Sequence, residues 1–140
     1  QGFISVNKSK PKPSGLSRVD YSRFFELLSL MTLSNEVKYT KGSKTLSKEM
    51  LSEKLELTPH SFDNLITRLK KHRMIFKVDT GTKNKNVIII NPAYAMRDTI
   101  LDLTLYNLFK EDLDDVLTDL QLRYLSLQNE ECNQSVLEYN

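Results

Sequence analysis

Cysteine is almost missing from this 140-residue chain. Cys132 stands alone among polar residues, so neither an internal disulfide nor a multi-cysteine metal site can form, and no activating partner lies beside it. Histidine is nearly as scarce: His60 and His72 sit twelve residues apart without a carboxylate or cysteine at ligand spacing, which suits a surface or phosphate contact better than a metal. The four glycines make no phosphate-cradling loop. Asp112, Asp114, Asp115 and Asp119 lack the alternating ligands and turn glycine of a calcium loop and read as a solvated acidic face. No apolar run approaches the roughly 18 to 20 residues that span a bilayer. The longest, Val87-Ile88-Ile89-Ile90, has the length of a strand. These absences exclude the common enzymatic centres, so no catalysis, cofactor, metal or membrane is expected. With no secretory signal the chain reads as cytoplasmic, and its start at Gln1 rather than Met points to a trimmed or partial chain.

What is present is ordinary in amount and unusual in distribution. An apolar fraction of 39% and a charged fraction of 27% suit one globular domain with an appendage. Residues 1–97 carry 18 Lys and Arg against 8 Asp and Glu, a balance of +10, whereas residues 98–140 carry 2 against 10, a balance of −8. A basic body is the footprint of a polyanion partner, because neutralised phosphates release counterions. Two solvated surfaces of opposite sign are the alternative.

Residues 1–16, with Lys8, Lys10, Lys12, Pro11 and Pro13, hold little apolar area and read as a flexible basic arm. Ser17 and Asp20 resemble a helix-start pair, and Tyr21, Phe24, Phe25, Leu28 and Met31 recur at helical spacing, which predicts a helix from about Arg18 to Thr32. A polar connection with Lys38, Lys41 and Lys44 follows. Ser47 is a good N-cap for a helix whose Met50, Leu51 and Leu55 face one way, and Glu56-Leu57 breaks it. Thr58 then caps another helix with Pro59 at its first position, and Phe62, Leu65, Ile66 and Leu69 form a buried stripe. Two short helices so tightly joined make a helix-turn-helix.

Leu51-Ser52-Glu53-Lys54-Leu55-Glu56-Leu57-Thr58 with Phe62, Leu65, Ile66, Leu69, Met74 and Ile75 resembles the helix-turn-helix and following strand of bacterial winged-helix regulators and initiators, over about 45 residues. Glu56 departs from the pattern, which usually has glycine there, so the turn must be made without a residue that accepts positive φ freely. Met74 to Val78 reads as a strand, Asp79 to Asn86 as a loop and Val87 to Ile90 as the returning strand, together a wing. In Asn91-Pro92, Asn caps and Pro opens a further helical turn. Residues 47–95, closing on Ile90-Asn91-Pro92 with Tyr94 and Ala95, are similar to RepL-type plasmid replication initiators of Gram-positive bacteria and to related phage regulators.

Beyond residue 97, Leu101, Leu105 and Leu108, then Leu113, Leu117, Leu120, Tyr124 and Leu127, keep mainly helical spacing, although Leu101, Leu103 and Leu105 also alternate as a strand would. The stripe exceeds what a small winged domain needs. Leu113, Leu117, Leu120, Tyr124 and Leu127 are therefore expected to pair with a second copy of the chain, a homodimer, with packing onto the first helix as the alternative. Residues 129–140 read as a disordered tail.

The expected fold is mainly α with a small β-hairpin: arm 1–16, winged helix-turn-helix domain 17–97, acidic helical extension 98–128 and tail. Its partner is expected to be double-stranded DNA. Ser61, Asn64 and Arg68 are the base-contact candidates, since Arg pairs bidentately with guanine and Asn with adenine in the major groove. His60 at the helix start, Thr67 beside the readers, and Lys70, Lys71 and Arg73 suit phosphates. Lys83, Asn84 and Lys85 on the wing suit phosphate or minor-groove contact. Asp63 either pairs with Arg68 or reads a cytosine amino group. Such a protein would serve replication initiation or transcriptional control of a plasmid, phage or similar element, with the corresponding machinery as a further partner. A competing expectation is a protein-interaction adaptor whose acidic C-terminal segment holds a basic partner.

Overall fold

The computed structural model describes residues 4–8, 10–32, 35–40, 46–79, 85–97, 101 and 103–114, except the side chains of Asp79 and Lys85. Among these residues ten elements run in the order β1 (Ser5–Val6), α1 (Arg18–Leu28), β2 (Glu36–Thr40), α2 (Lys48–Lys54), α3 (Pro59–Lys71), β3 (Ile75–Asp79), β4 (Lys85–Ile90), β5 (Ala95–Met96), α4 (Leu103–Leu108) and α5 (Lys110–Leu113). Among the described residues, five strands in two sheets beside five helices make a mixed α/β fold, which corrects the expectation of a mainly α chain. The strand that changes the class is β2. Its sequence Glu36-Val37-Lys38-Tyr39-Thr40 alternates, with Val37 and Tyr39 buried and Lys38 exposed, where a polar connection was expected.

β4 is the centre of the larger sheet, antiparallel to β2 on one side and β3 on the other. Val37 lies opposite Ile88, and Ile75 opposite Ile90. Central position explains the unbroken run at 87–90. Ile88 and Ile90 enter the main core with Phe24, Leu27, Leu51, Phe62, Leu65 and Leu69, while Ile89 enters a second cluster with Ala93, Leu101, Leu105, Phe109 and Leu113. A strand covered on both faces has no need to alternate.

The second cluster gives the C-terminal stripe an intramolecular partner. Leu101, Leu105, Phe109 and Leu113 recur every four residues and pack on Ile89 and Ala93, and the segment from Leu103 to Leu108 is helix, not strand. Leu113, expected at a dimer contact, is 1% exposed and packs in this cluster of its own chain. Leu117, Leu120, Tyr124 and Leu127, with the rest of 115–140, lie outside the described residues.

The basic N-terminal segment also differs from a free arm in its described part. Ser5 and Val6 pair antiparallel with Met96 and Ala95, the Asn7 amide donates to Tyr94 O at 2.9 Å, and Lys10 Nζ lies 5.4 Å from the Tyr94 ring centroid. Leu16 joins the main core. Backbone pairing and a few anchors supply what the composition, poor in apolar area, does not. Asn91 caps a turn opened by Pro92, as expected: its Oδ1 accepts from the Ala93 amide at 2.9 Å and its carbonyl from the amides of Tyr94 and Ala95 at 3.0 and 3.4 Å, while its buried Nδ2 donates to Arg73 O at 2.7 Å.

Helix ends follow their local chemistry. Ser17, Ser47 and Thr58 each accept, through the side-chain hydroxyl, from the amide three residues on, all at 3.1 Å. α1 stops at Leu28, short of the expected Thr32, because the amides of Ser29, Leu30 and Met31 bond three residues back and tighten the chain. Phe25, expected in the buried stripe, is 37% exposed and lies edge-on to Tyr21 and Phe24. α2 and α3 end alike: the amides of Glu56 and Leu57 bond to Glu53 O and Ser52 O, and those of Arg73 and Met74 to Lys70 O and Leu69 O. Both are Schellman closures, and both place a non-glycine in the left-handed region, Glu56 at φ 58° and Arg73 at φ 59°.

That conformation costs a side-chain-bearing residue roughly 1–2 kcal/mol. Glu56 has little to offset it, because its carboxylate is 82% exposed and 3.9 Å from Arg23 Nη1. Glu56→Gly should therefore raise the unfolding free energy by about 0.5–1 kcal/mol, after allowance for glycine's unfolded-state entropy. Urea unfolding checks it; a midpoint that falls would contradict the strain argument.

Tyr39 sets a second expectation. Its buried ring meets Phe62 edge-on, with centroids 5.7 Å apart, and burial, helped by the charge of Asp63, pushes its phenol up to about 12. The unfolded chain then ionises first, near its ordinary value of about 10. Stability on this account is intact below pH ~10 and falls as pH rises to ~12, by up to about 2–3 kcal/mol. Unfolding of Tyr39→Phe across that range should lack this component; equal alkaline slopes for the two proteins would count against it.

Candidate nucleic-acid interface

α3 is held from two sides. Its stripe of Phe62, Leu65, Ile66 and Leu69 is buried, against Leu51 and Leu55 from the α2 region and against Phe24 and Leu27 of α1 in one core. Pro59 occupies the first turn, where its missing N–H costs no hydrogen bond. The opposite face presents His60, Asp63, Asn64, Thr67, Arg68, Lys70 and Lys71 to solvent, with Ser61 half-buried at its edge.

Several of these groups are already engaged. The Thr58 hydroxyl donates to Ser61 Oγ at 3.0 Å, and Thr67 donates to Asp63 O at 3.0 Å, so Thr67 spends its hydrogen on its own helix. Asp63 does not pair with Arg68: Lys48 Nζ, from the start of α2, holds its carboxylate. Arg68 instead joins Asp20 of α1, with Nε donating to Oδ2 at 2.5 Å and Nη2 to Oδ1 at 3.0 Å. That hydrogen bond, helped by the carboxylate's charge, raises the Arg68 pKa further above its already high ordinary value. Arg73, expected on phosphate, donates through Nε and Nη2 to Oδ2 of Asp112 in α5 at 3.1 and 2.8 Å, which raises its pKa in the same way.

Ser61, Asn64 and Arg68 do come together. They line one open cleft of about 230 Å³ with Leu57 and Leu65 on their own side and Val19, Asp20 and Arg23 from α1 on the other. Arg23 donates through Nη1 to Glu26, while its Nε is buried without a partner. Asp20 and Arg23 are not among the residues expected at the site. The signal for Asp20 was present: with Phe24 and Leu27 it falls on the inward stripe of α1, and a carboxylate there requires a cation from a facing element.

Among the described residues no hydrogen bond or ion pair holds the side chains of His60, Asn64, Lys70 or Lys71. Lys83 and Asn84 lie outside the described residues, and of Lys85 only the backbone is described, at the first position of β4. No three His, Cys, Asp or Glu side chains gather as a metal-ligand set among the described residues, and no described helix is long and apolar enough to cross a membrane. No protein-family model, curated protein or solved structure matches this chain.

Proposed function

We propose that the protein binds double-stranded DNA in a sequence-dependent way, with α3 in the major groove. The observation that carries this reading is the outer face of α3. On a helix fixed by two neighbours, Asn64 and Arg68 stand one turn apart beside Lys70 and Lys71, with Asn64 and both lysines uncommitted. An amide and a guanidinium are the side chains that read adenine and guanine, and ammonium groups flanking them meet phosphates. The +10 balance of residues 1–97 supports the same partner. The described part of the acidic extension packs with Ile89, on the face of β4 opposite Ile88 and Ile90, and meets the end of α3 through the pair of Asp112 with Arg73. Through the resemblance of residues 47–95 to RepL-type initiators and phage regulators, the binding is proposed to serve replication initiation or transcriptional control.

Two substitutions separate the roles. Asn64→Ala should remove preference at one base pair, costing about 1–3 kcal/mol on the preferred duplex and little on others. Lys83→Ala should weaken all duplexes alike. Competition binding with preferred and scrambled duplexes measures both; equal effects of the two changes on every duplex would contradict the division.

A further inference from the structure

Resting on the duplex-binding reading of α3, we infer that Asp20 is a positioning residue for DNA recognition. It holds Arg68 in one orientation whose free fork is presented to guanine.

The pair is lopsided in a way that a stabilising ion pair does not require. The Asp20 side chain is 11% exposed, whereas that of Arg68 is 51% exposed. The anchor is also firm. Asp20 sits in the first turn of α1, and its amide is fixed by the Ser17 cap. A buried carboxylate on one helix thus grips a guanidinium that reaches out from another.

How it grips decides what remains. Asp20 takes the side edge of Arg68, Nε and Nη2, out of five N–H donors. Both hydrogens of Nη1 and one of Nη2 are left, so the end of the guanidinium still offers two parallel donors. Two parallel donors are what guanine O6 and N7 accept in the major groove. A free arginine would lose rotamer freedom on binding. Here the ordering is already present in the protein alone, and Asn64 lines the same cleft one turn earlier.

Asp20 also places negative charge beside a phosphate-rich partner, which disfavours every duplex to a similar degree. Only a site that supplies guanine to the oriented fork recovers that loss. The carboxylate therefore acts on discrimination, with opposite signs for right and wrong sequences.

The test begins with the full chain and a randomised duplex pool, from which a preferred site is selected. Each guanine of that site is then replaced by adenine, and binding is measured for the native chain, Asp20→Asn and Arg68→Lys. The native chain should show one guanine whose replacement weakens binding about tenfold or more. Asp20→Asn should reduce that ratio to about two, while binding to the unselected pool stays equal or tightens about twofold to fivefold. Arg68→Lys, which keeps the charge and loses the fork, should also lose the ratio without losing pool binding. In the absence of DNA, the Arg68 Nε–H resonance should be slow to exchange in the native chain and fast in Asp20→Asn.

Retention of the guanine ratio by Asp20→Asn overturns the proposal and leaves the duplex-binding reading standing. An equal loss on every duplex overturns it in favour of a purely structural pair. If Asp20→Asn fails to fold, Arg68→Lys decides, and a retained ratio there overturns the proposal. A native chain that binds no duplex removes both the reading of α3 and this inference.

Discussion

Replacement of Asn35 by alanine is expected to lower the unfolding free energy by about 3–5 kcal/mol, a large part of a typical domain's stability of roughly 5–15 kcal/mol. Asn35 is 1% exposed and ties three places together. Its Nδ2 donates to Ile90 O at 3.0 Å and to Ala95 O at 2.7 Å, and its Oδ1 accepts from the Arg97 amide at 2.9 Å. The start of β2, the end of β4 and the strand β5 thus share one side chain. Alanine would remove three hydrogen bonds, each worth about 1 kcal/mol net, and leave buried backbone groups without partners. It would also inherit φ 60°, which asparagine tolerates better. Asn35→Gly should therefore cost about 1 kcal/mol less than Asn35→Ala. Asn35→Asp should cost at least as much as alanine above the carboxyl pKa, since a carboxylate cannot donate to two carbonyls. Urea unfolding of the three variants gives the order. An alanine variant within 1 kcal/mol of the native chain would show that Asn35 does not hold the strands.

The second large effect concerns binding. Lys70 and Lys71 close α3 on its exposed face, and no ion pair among the described residues engages either. If each neutralises one phosphate, each contributes about 0.9 to the slope of log K against log salt, which near 0.1 M is roughly tenfold in affinity. Lys70→Ala with Lys71→Ala should thus weaken all duplexes about fiftyfold to a hundredfold and lower the slope by about 2. Stability should move by less than about 0.5 kcal/mol, because exposed side chains away from caps and cores contribute little. Binding isotherms at several salt concentrations, beside one melting curve, measure both. Weakening confined to one sequence would place these lysines on bases instead.

Much of the region around α3 was legible because its signals are local. Ser47 and Thr58 cap the amides three residues on, Pro59 opens the helix, and the stripe from Phe62 to Leu69 is buried as its spacing predicts. The strands expected at 74–78 and 87–90 are found at Ile75–Asp79 and Lys85–Ile90, so Asp79, Lys85 and Asn86, expected in the loop, belong to the strands. Other features depend on partners far along the chain. β2 is five residues of modest alternation beside a polar stretch, and it becomes a strand by pairing with β4 about fifty residues later. The two-residue strands β1 and β5 carry no periodicity at all and exist through their mutual hydrogen bonds. The stripe at Leu101, Leu105 and Leu113 announces that apolar area must be covered but not by what; Ile89, Ala93 and Phe109 of the same chain cover it. At the site, spacing puts Ser61, Asn64 and Arg68 on one face, yet it cannot show that α1 brings Asp20 to Arg68 across 48 positions. Glu56 marks the reverse case. A residue that disfavours left-handed backbone suggested an altered turn, and the turn keeps that backbone with Glu56 in place.

Duplex DNA is the partner proposed for the α3 face. Titration of the full chain into a labelled random duplex, at salt from about 0.05 to 0.3 M, tests this directly. Saturable binding at low salt is predicted, with log K falling linearly against log salt at a slope of about −3 or steeper, as several phosphate contacts require. Absence of binding at the lowest salt, or affinity that does not change as salt rises, would contradict it.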